Sequence, residues 1–309
     1  MSRALLVDSG NSRVKWAVVE TGAAVVEAGA AAVGAGPAVG AGPAVGVAPA
    51  VVEAGPAVVQ PGTPAGSLAS GVFDHGAGSS VSSVQVALTE APRPDRAVIS
   101  NVAGSDGAAR ITELIERTWP GLHCEWVRST ERRAGVTNGY RTPSELGTDR
   151  WCGMIGAHAA YPGEHLLIAT LGTATTVEAL RDDGFFAGGL IAPGWSLMME
   201  SLGQRTAQLP SLDASDARRA LRALDATEHN GGAFACDTRT SLSEGSRAAQ
   251  AAFIEYAWRE AQTLFGGTVR CILGGGAADA IGEALRVPFT RHDGLVLAGL
   301  ALIAREMRP

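Results

Sequence analysis

The run DSGNSRVK at 8–15 carries side chains that a nucleotide phosphate needs. Asp8 closes a short apolar run, and Gly10 lets the backbone approach a ligand closely. Asn11 and Ser12 offer hydrogen bonds to oxygens, and Lys15 adds a positive charge. An acid before such a turn suits Mg2+ with a nucleotide: the carboxylate holds the ion's water shell while turn N–H groups face the phosphate. A plain β-hairpin uses the same Asn, Gly and Ser. A second stretch, LGTATT at 171–176, places the Thr173, Thr175 and Thr176 hydroxyls where they could donate to phosphate oxygens. A β-branched strand has the same composition. Two such turns, one per half of the chain, point to one phosphate group gripped between two domains.

The run ELGTDR at 145–150 supplies the acid–base chemistry. Gly147 gives a turn, and Asp149 stands at a helix start, followed by Arg150. Asp149 is read either as a general base for a substrate hydroxyl or as a plain N-cap. With the first reading, Arg150 clamps a carboxylate. Phosphoryl transfer needs little beyond positioning, metal ions and such an acid. LGGGAAD at 273–279 puts a triple glycine between a strand and a helix, which fits close approach of a base or ribose. Neither GxGxxG nor GxxxxGK[ST] occurs, so no Rossmann or Walker-type reading is available.

These residues need elements to hold them. ALLVD (4–8) and VKWAVVE (14–20) read as a hairpin, RAVISNVAG (96–104) as a buried strand, and HCEWV (123–127) as another. Ile111, Leu114 and Ile115 recur at helical spacing within 108–119, and Pro120 and Gly121 end that helix. The second half repeats the pattern: a helix at 151–161, strands at 166–170, 175–181 and 185–194, then a long helix at 241–265. A strand enters the glycine turn at 269–278, and helices follow at 278–285 and 294–307. Two blocks, 4–20 and 166–191, each open with a hairpin, which suggests one duplicated α/β unit. Between them, AGPAVG occurs at 35–40 and 41–46 and AGPAV again at 54–58. Pro and Gly at this spacing prevent a long helix, so 21–66 reads as low-complexity and about 21–80 as an insertion, with the sheet resuming in VSSVQVAL (81–88).

A chain of 309 residues with 46% hydrophobic residues can bury one large or two medium domains. The net charge of −6 and the lack of a basic block argue against a nucleic-acid surface. Cys124, Cys152, Cys236 and Cys271 form no CxxC pair, and the histidines form no HExxH, so neither zinc nor a disulfide framework is expected. Asp8 interrupts any signal-peptide core, and no transmembrane run is seen, so a cytoplasmic protein is expected.

Taken together, DSGNSRVK, NGYRTPSELGTDRW, LGTATTVEAL, GGLIAPGWSLMMESL, CDTRTSLSEG (236–245) and ILGGGA resemble, in order, the type III pantothenate kinases. The resemblance implies an α/β fold: a duplicated ribonuclease-H-like fold of the actin-like ATPase and acetate and sugar kinase superfamily. It implies two domains, 1–150 and 151–309, with a nucleotide cleft between them. The implied reaction phosphorylates pantothenate with ATP and Mg2+ at the first step of coenzyme A synthesis. Carried onto this chain, ATP would meet Asp8, Ser9, Gly10, Asn11, Ser12, Arg13, Val14, Lys15 and Thr173. Asp149 would accept the substrate's proton, and Tyr140, Gly147, Thr148 and Arg150 would hold the substrate. Thr238 would reach the site of a neighbouring subunit, so a homodimer is implied. The family's usual Asp, two residues before the glycine of GTATT, binds K+ or NH4+; here that place holds Thr170. Glu178 stands where the family commonly has Asp, and Ser12 replaces a threonine. Two other readings share the fold: an accessory transcription factor, and a kinase for a sugar or acetate.

Overall fold

The computed structural model describes residues 2–22, 33–34, 67–74, 88–213, 215–216, 219 and 234–307. Its strands form two sheets that repeat one topology. In the first, β1 (Arg3–Ser9) and β2 (Arg13–Glu20) form the expected hairpin. Strand β4 (Ser67–Asp74) pairs antiparallel with β2, and β5 (Arg96–Asn101) and β6 (Cys124–Trp126) follow parallel to β1. The order is β4-β2-β1-β5-β6. In the second, β9 (His165–Leu171), β10 (Ala174–Leu180) and β11 (Phe185–Pro193) form the antiparallel part. Strands β12 (Val269–Gly274) and β13 (Phe289–Arg291) run parallel to β9. The core order β13-β12-β9-β10-β11 is the first sheet's order again. Short strands extend both edges: β3 (Val33–Gly34) beside β13, and β8 (Val136–Asn138) with β7 (Arg132–Arg133) beside β11. The chain therefore carries a duplicated ribonuclease-H-like α/β fold.

Alternating side chains sort the core into layers. Leu5, Val7, Trp16 and Ile99 pack outward against helix α1 (Gly104–Thr118) through Ile111 and Ile115. Ala4, Leu6, Ala17 and Val98 face inward. There they meet helix α2 (Thr148–Ala160) and the last helix, α6 (Leu295–Glu306). The same two helices cover Leu166, Ile168 and Ile272 of the second sheet. On its far face, Leu167, Val177 and Leu273 pack on helices α3 (Trp195–Arg205) and α4 (Thr238–Phe265), with the short α5 (Ala278–Gly282) alongside. Helix α2 is apolar nearly all round because it is sandwiched between sheets, burying Trp151, Met154 and Ile155. Glycines let α2 and α6 touch backbone to backbone. A Cβ on Gly156 would lie 2.1 Å from the Leu295 carbonyl oxygen, and one on Gly299 1.9 Å from that of Cys152. The end of α6 docks on the first sheet: the Arg96 guanidinium donates to the carbonyls of Ala304, at 2.6 Å, and Met307.

Several boundaries differ from the sequence reading. Residues 67–74, read as part of an insertion, are a strand, because they close the edge of the first sheet against β2. Val81–Ala87 and most of the low-complexity stretch lie outside the described residues, and Leu88 is buried at the start of a helical turn. Residues 132–138 already pair within the second sheet, so the change of sheet falls before the expected boundary at 150. Among the described residues no helix is long and apolar enough to cross a membrane.

Candidate active site

Four turns converge at the carboxyl ends of β1, β9 and β12. The hairpin turn at 10–13 is closed by the Gly10 N–H donating to the Arg13 carbonyl at 3.0 Å. The LGTATT turn lies opposite, and the two are joined directly: Ser12 Oγ and Thr173 Oγ1 are 2.8 Å apart. The GGLIAPG run supplies the third turn, where the Gly194 N–H donates to the Thr173 carbonyl at 2.9 Å. Only glycine fits there, since a Cβ would lie 2.2 Å from the Gly172 carbonyl oxygen. The triple glycine is the fourth. Gly275 takes a positive φ of 100° against the end of β9, a conformation L side chains rarely adopt. Asp293 accepts its N–H at 3.0 Å, and Arg291 donates to its carbonyl at 3.0 Å. A Cβ on the next residue, Gly276, would sit 3.4 Å from the Arg13 guanidinium, so the first and fourth turns are neighbours.

Gln250 of α4 holds the second turn from beneath. It is buried, accepts the Thr175 hydroxyl and donates to the Pro193 carbonyl at 2.8 Å. Within the first turn the residues divide. The Val14 side chain is buried in the outer core with Val7 and Trp16, leaving only its backbone for the cleft, and Ser9 is buried as well. Asn11, Ser12 and Arg13 are exposed, and Lys15 stands across from Asp8 in the hairpin register. Burial pushes the Asp8 carboxyl up to about 7, with Lys15 pulling it down and Asp149 pushing it further up.

That coupling to Asp149 brings the third sequence motif into the site. Gly147 caps α2 and Thr148 begins it, with Asp149 in its first turn. The Asp149 Oδ1 accepts the Arg150 backbone N–H at 2.8 Å, so it is no N-cap in the usual sense. Burial raises its carboxyl above the ordinary range, opposed by that N–H and by the Arg150 charge. Gly147 leaves room for it, because a Cβ would lie 2.7 Å from Oδ1. Thr148 is engaged elsewhere: its hydroxyl is 2.9 Å from Ser100 Oγ, tying α2 to β5. Cys152, one turn along, feels both Asp8 and Asp149, and burial with these charges pushes its thiol well up.

Arg150 is the centre of a second group. Its Nε donates to Glu178 Oε1 at 2.6 Å and its Nη1 to the Tyr140 hydroxyl at 3.0 Å. Tyr140 packs on Phe186, with ring centroids 5.3 Å apart. The resemblance noted Glu178 as standing where the family commonly has Asp, without a partner; its isolation as an acid among β-branched and apolar neighbours was the sequence signal of a buried partner.

Two expected residues stand apart. Thr170, at the exposed end of β9, is in register with Thr176 and Gly274, so its strand neighbours supply no carboxylate for a monovalent cation. Thr238 lies in the exposed first turn of α4, which Asp237 caps by accepting the Thr240 N–H at 2.9 Å.

This arrangement has known relatives. The family model for type III pantothenate kinases matches residues 67–260. A type III pantothenate kinase of Paraburkholderia phytofirmans (strain DSM 17436 / LMG 22146 / PsJN) is 47% identical over 303 residues, spanning 98% of this chain and 95% of the relative. One from Burkholderia thailandensis (strain ATCC 700388 / DSM 13276 / CCUG 48851 / CIP 106301 / E264) is 48% identical over 302 residues, spanning 98% of both chains. Among solved structures, the ethanolamine utilization protein EutJ from Carboxydothermus hydrogenoformans shares the fold. Its TM-score is 0.50 at 9% identity, covering 99% of this chain and 90% of that one. Full-length identity of this order, on a cleft built from these motifs, establishes that the chain belongs to the type III pantothenate kinases.

Proposed function

We propose that this chain transfers the γ-phosphoryl group of ATP to the 4′-hydroxyl of pantothenate, the first step of coenzyme A synthesis, with Asp149 as general base. The observation that carries the site assignment is the Ser12–Thr173 contact at 2.8 Å, which closes two phosphate turns around one position. Asp149 is electrostatically coupled to Asp8 in the first of those turns. In this reading the nucleotide and acceptor residues share one cleft.

In this reading the exposed N–H groups and hydroxyls of residues 10–13 and Thr173 hold the phosphates. Asp8 fits a divalent cation of the Mg2+ kind, which usually takes one or two carboxylates plus substrate phosphates rather than a protein cage. Such an ion neutralises charge on the phosphate oxygens when bound. Asp149, its carboxyl raised by burial, takes the proton of the hydroxyl as its oxygen bonds to phosphorus; the bond to ADP breaks on the opposite side. Arg150, with Tyr140, holds the acceptor's carboxylate. With Thr170 at the cation position, any K+ or NH4+ there would meet a hydroxyl instead of a carboxylate.

A homodimer completes the site in this reading, with Thr238 reaching the neighbour. Supporting it, Leu190 and Ile191 are exposed on β11, Ile191 at 62%, and Leu197 and Leu202 are exposed on α3. Helix α3 packs on the start of α4, where the Trp195 indole N–H donates to the Ser243 carbonyl at 3.3 Å.

The test is ADP release from Mg–ATP with and without pantothenate. Release should depend on pantothenate and yield 4′-phosphopantothenate. Equal release without it, or with a sugar or acetate in its place, would discard the acceptor assignment. The relatives are kinases by name, and the transcription-factor reading is not favoured.

A further inference from the structure

An arginine guanidinium carries five N–H donors in a fixed plane, and its Nε and Nη2 together form the fork that meets a carboxylate two-pronged. In Arg150 that fork is only half used. Glu178 Oε1 takes Nε at 2.6 Å, Tyr140 takes Nη1 at 3.0 Å, and Nη2 is buried with no partner among the described residues. The Arg150 and Glu178 side chains are 8% and 2% exposed. A buried charged donor left unpaired costs free energy, so a fold that keeps one has a ligand group to offer it. The approach of the guanidinium is prepared from the other side by Gly189, where a Cβ would lie 2.5 Å from Nη2.

We propose that Glu178 is a positioning residue for the acceptor. It holds Arg150 by Nε alone, fixes the plane of the guanidinium and leaves its remaining N–H groups for the carboxylate of the phosphate acceptor. This rests on the kinase reading, in which Arg150 holds that carboxylate. Glu178 is buried and acts through Arg150, whose guanidinium it holds. Its strand gives it reach all the same. Strand β10 starts beside Thr173 and carries Glu178 five residues on, about 17 Å further along an extended chain. One strand thus positions a phosphate-contacting residue at one end and the acceptor clamp nearer the other.

The experiment measures KM for pantothenate and for ATP in the wild type, Glu178→Ala and Glu178→Gln, with a thermal melt of each. Glu178→Ala should raise KM for pantothenate about tenfold or more, the scale of a lost charge-assisted hydrogen bond, with KM for ATP within about twofold. Glu178→Gln keeps an acceptor for Nε and should recover part of the loss. In an Arg150→Lys background, where the Nε donor is gone, Glu178→Gln should add little further change. A pantothenate KM within about twofold of wild type in Glu178→Ala overturns the proposal. So does an equal rise in both KM values with a lowered melt, which marks a merely structural carboxylate. Should Glu178→Ala fail to fold, Glu178→Gln decides by the same split. A wild type without pantothenate-dependent turnover removes the kinase reading, and this inference with it.

Discussion

In the proposed reaction Asp149 is the base. Its carboxyl is raised by burial, opposed by the hydrogen bond that it accepts from the adjacent Arg150 N–H. Asp149→Asn keeps the shape and removes the proton acceptor. It should lower kcat at least about a hundredfold, the usual share of general-base catalysis, without lowering the melting temperature. A coupled ADP assay beside a thermal melt separates these. Asp8 makes a pH prediction. Its folded value of about 7 exceeds the ordinary 3.8, so between those values the unfolded chain binds fewer protons than the folded one. Its contribution to stability therefore falls as pH rises from about 4 to 7, and the full penalty stands above 7. Glu178, raised to about 7 by burial against the pull of Arg150, acts in the same direction. Asp8→Asn should accordingly raise the melting temperature of the nucleotide-free protein by a few degrees at pH 8 and by less at pH 5, while abolishing most turnover. Equal shifts at the two pH values would refute the burial account.

Elements decide which residues can meet, and here the sequence was legible where periodicity was strong. The β1–β2 hairpin, the helix over Ile111 and Ile115, and the three strands after His165 were all visible as patterns. Strand β4 was not, because SLASGVFD follows a glycine-rich stretch and its Ser, Ala and Gly show little alternation; pairing with β2 makes it a strand. Helix α3 went unread as a helix, its residues noted only as a motif, since Gly194 gives no side-chain cap. The turns at 10–13 and 171–176 were read as facing one another, but the hydroxyl bond joining them was not foreseen, since it spans 161 positions of sequence. Likewise nothing local in the sequence pairs Glu178 with Arg150. The crossing of α2 and α6 offers a stability test at this scale. Gly156→Ala gains helix propensity of about 1 kcal/mol but drives a methyl into the Leu295 carbonyl. Overpacking costs about 1–3 kcal/mol or more, so a net loss of stability is expected in urea unfolding.

At the scale of the molecule, the duplicated sheets meet across α2 and α6, and the cleft opens at the strand ends above them. If each site needs Thr238 from a neighbour, sites belong to pairs of chains. Mixing Asp149→Asn subunits with Thr238→Ala subunits should then restore activity. Each mixed pair holds one site with both wild-type residues, and random pairing gives about a quarter of wild-type turnover. No recovery after mixing, with subunit exchange verified by mass, would place Thr238 outside the shared site.

The last helix has a consequence for how the protein is made. Ala4, Leu6 and Val98 of the first sheet find their cover partly in residues 295–306, and Arg96 ties that cover in place. A ribosome releases the amino-terminal half long before α6 exists. Until residues 295–306 emerge, part of one face of the first sheet is left without its lid, a sticky surface in a half-finished chain. The order of translation thus makes residues 295–306 a late step of folding for the first sheet as well as the second, and removing them would be felt in strands nearly three hundred residues earlier.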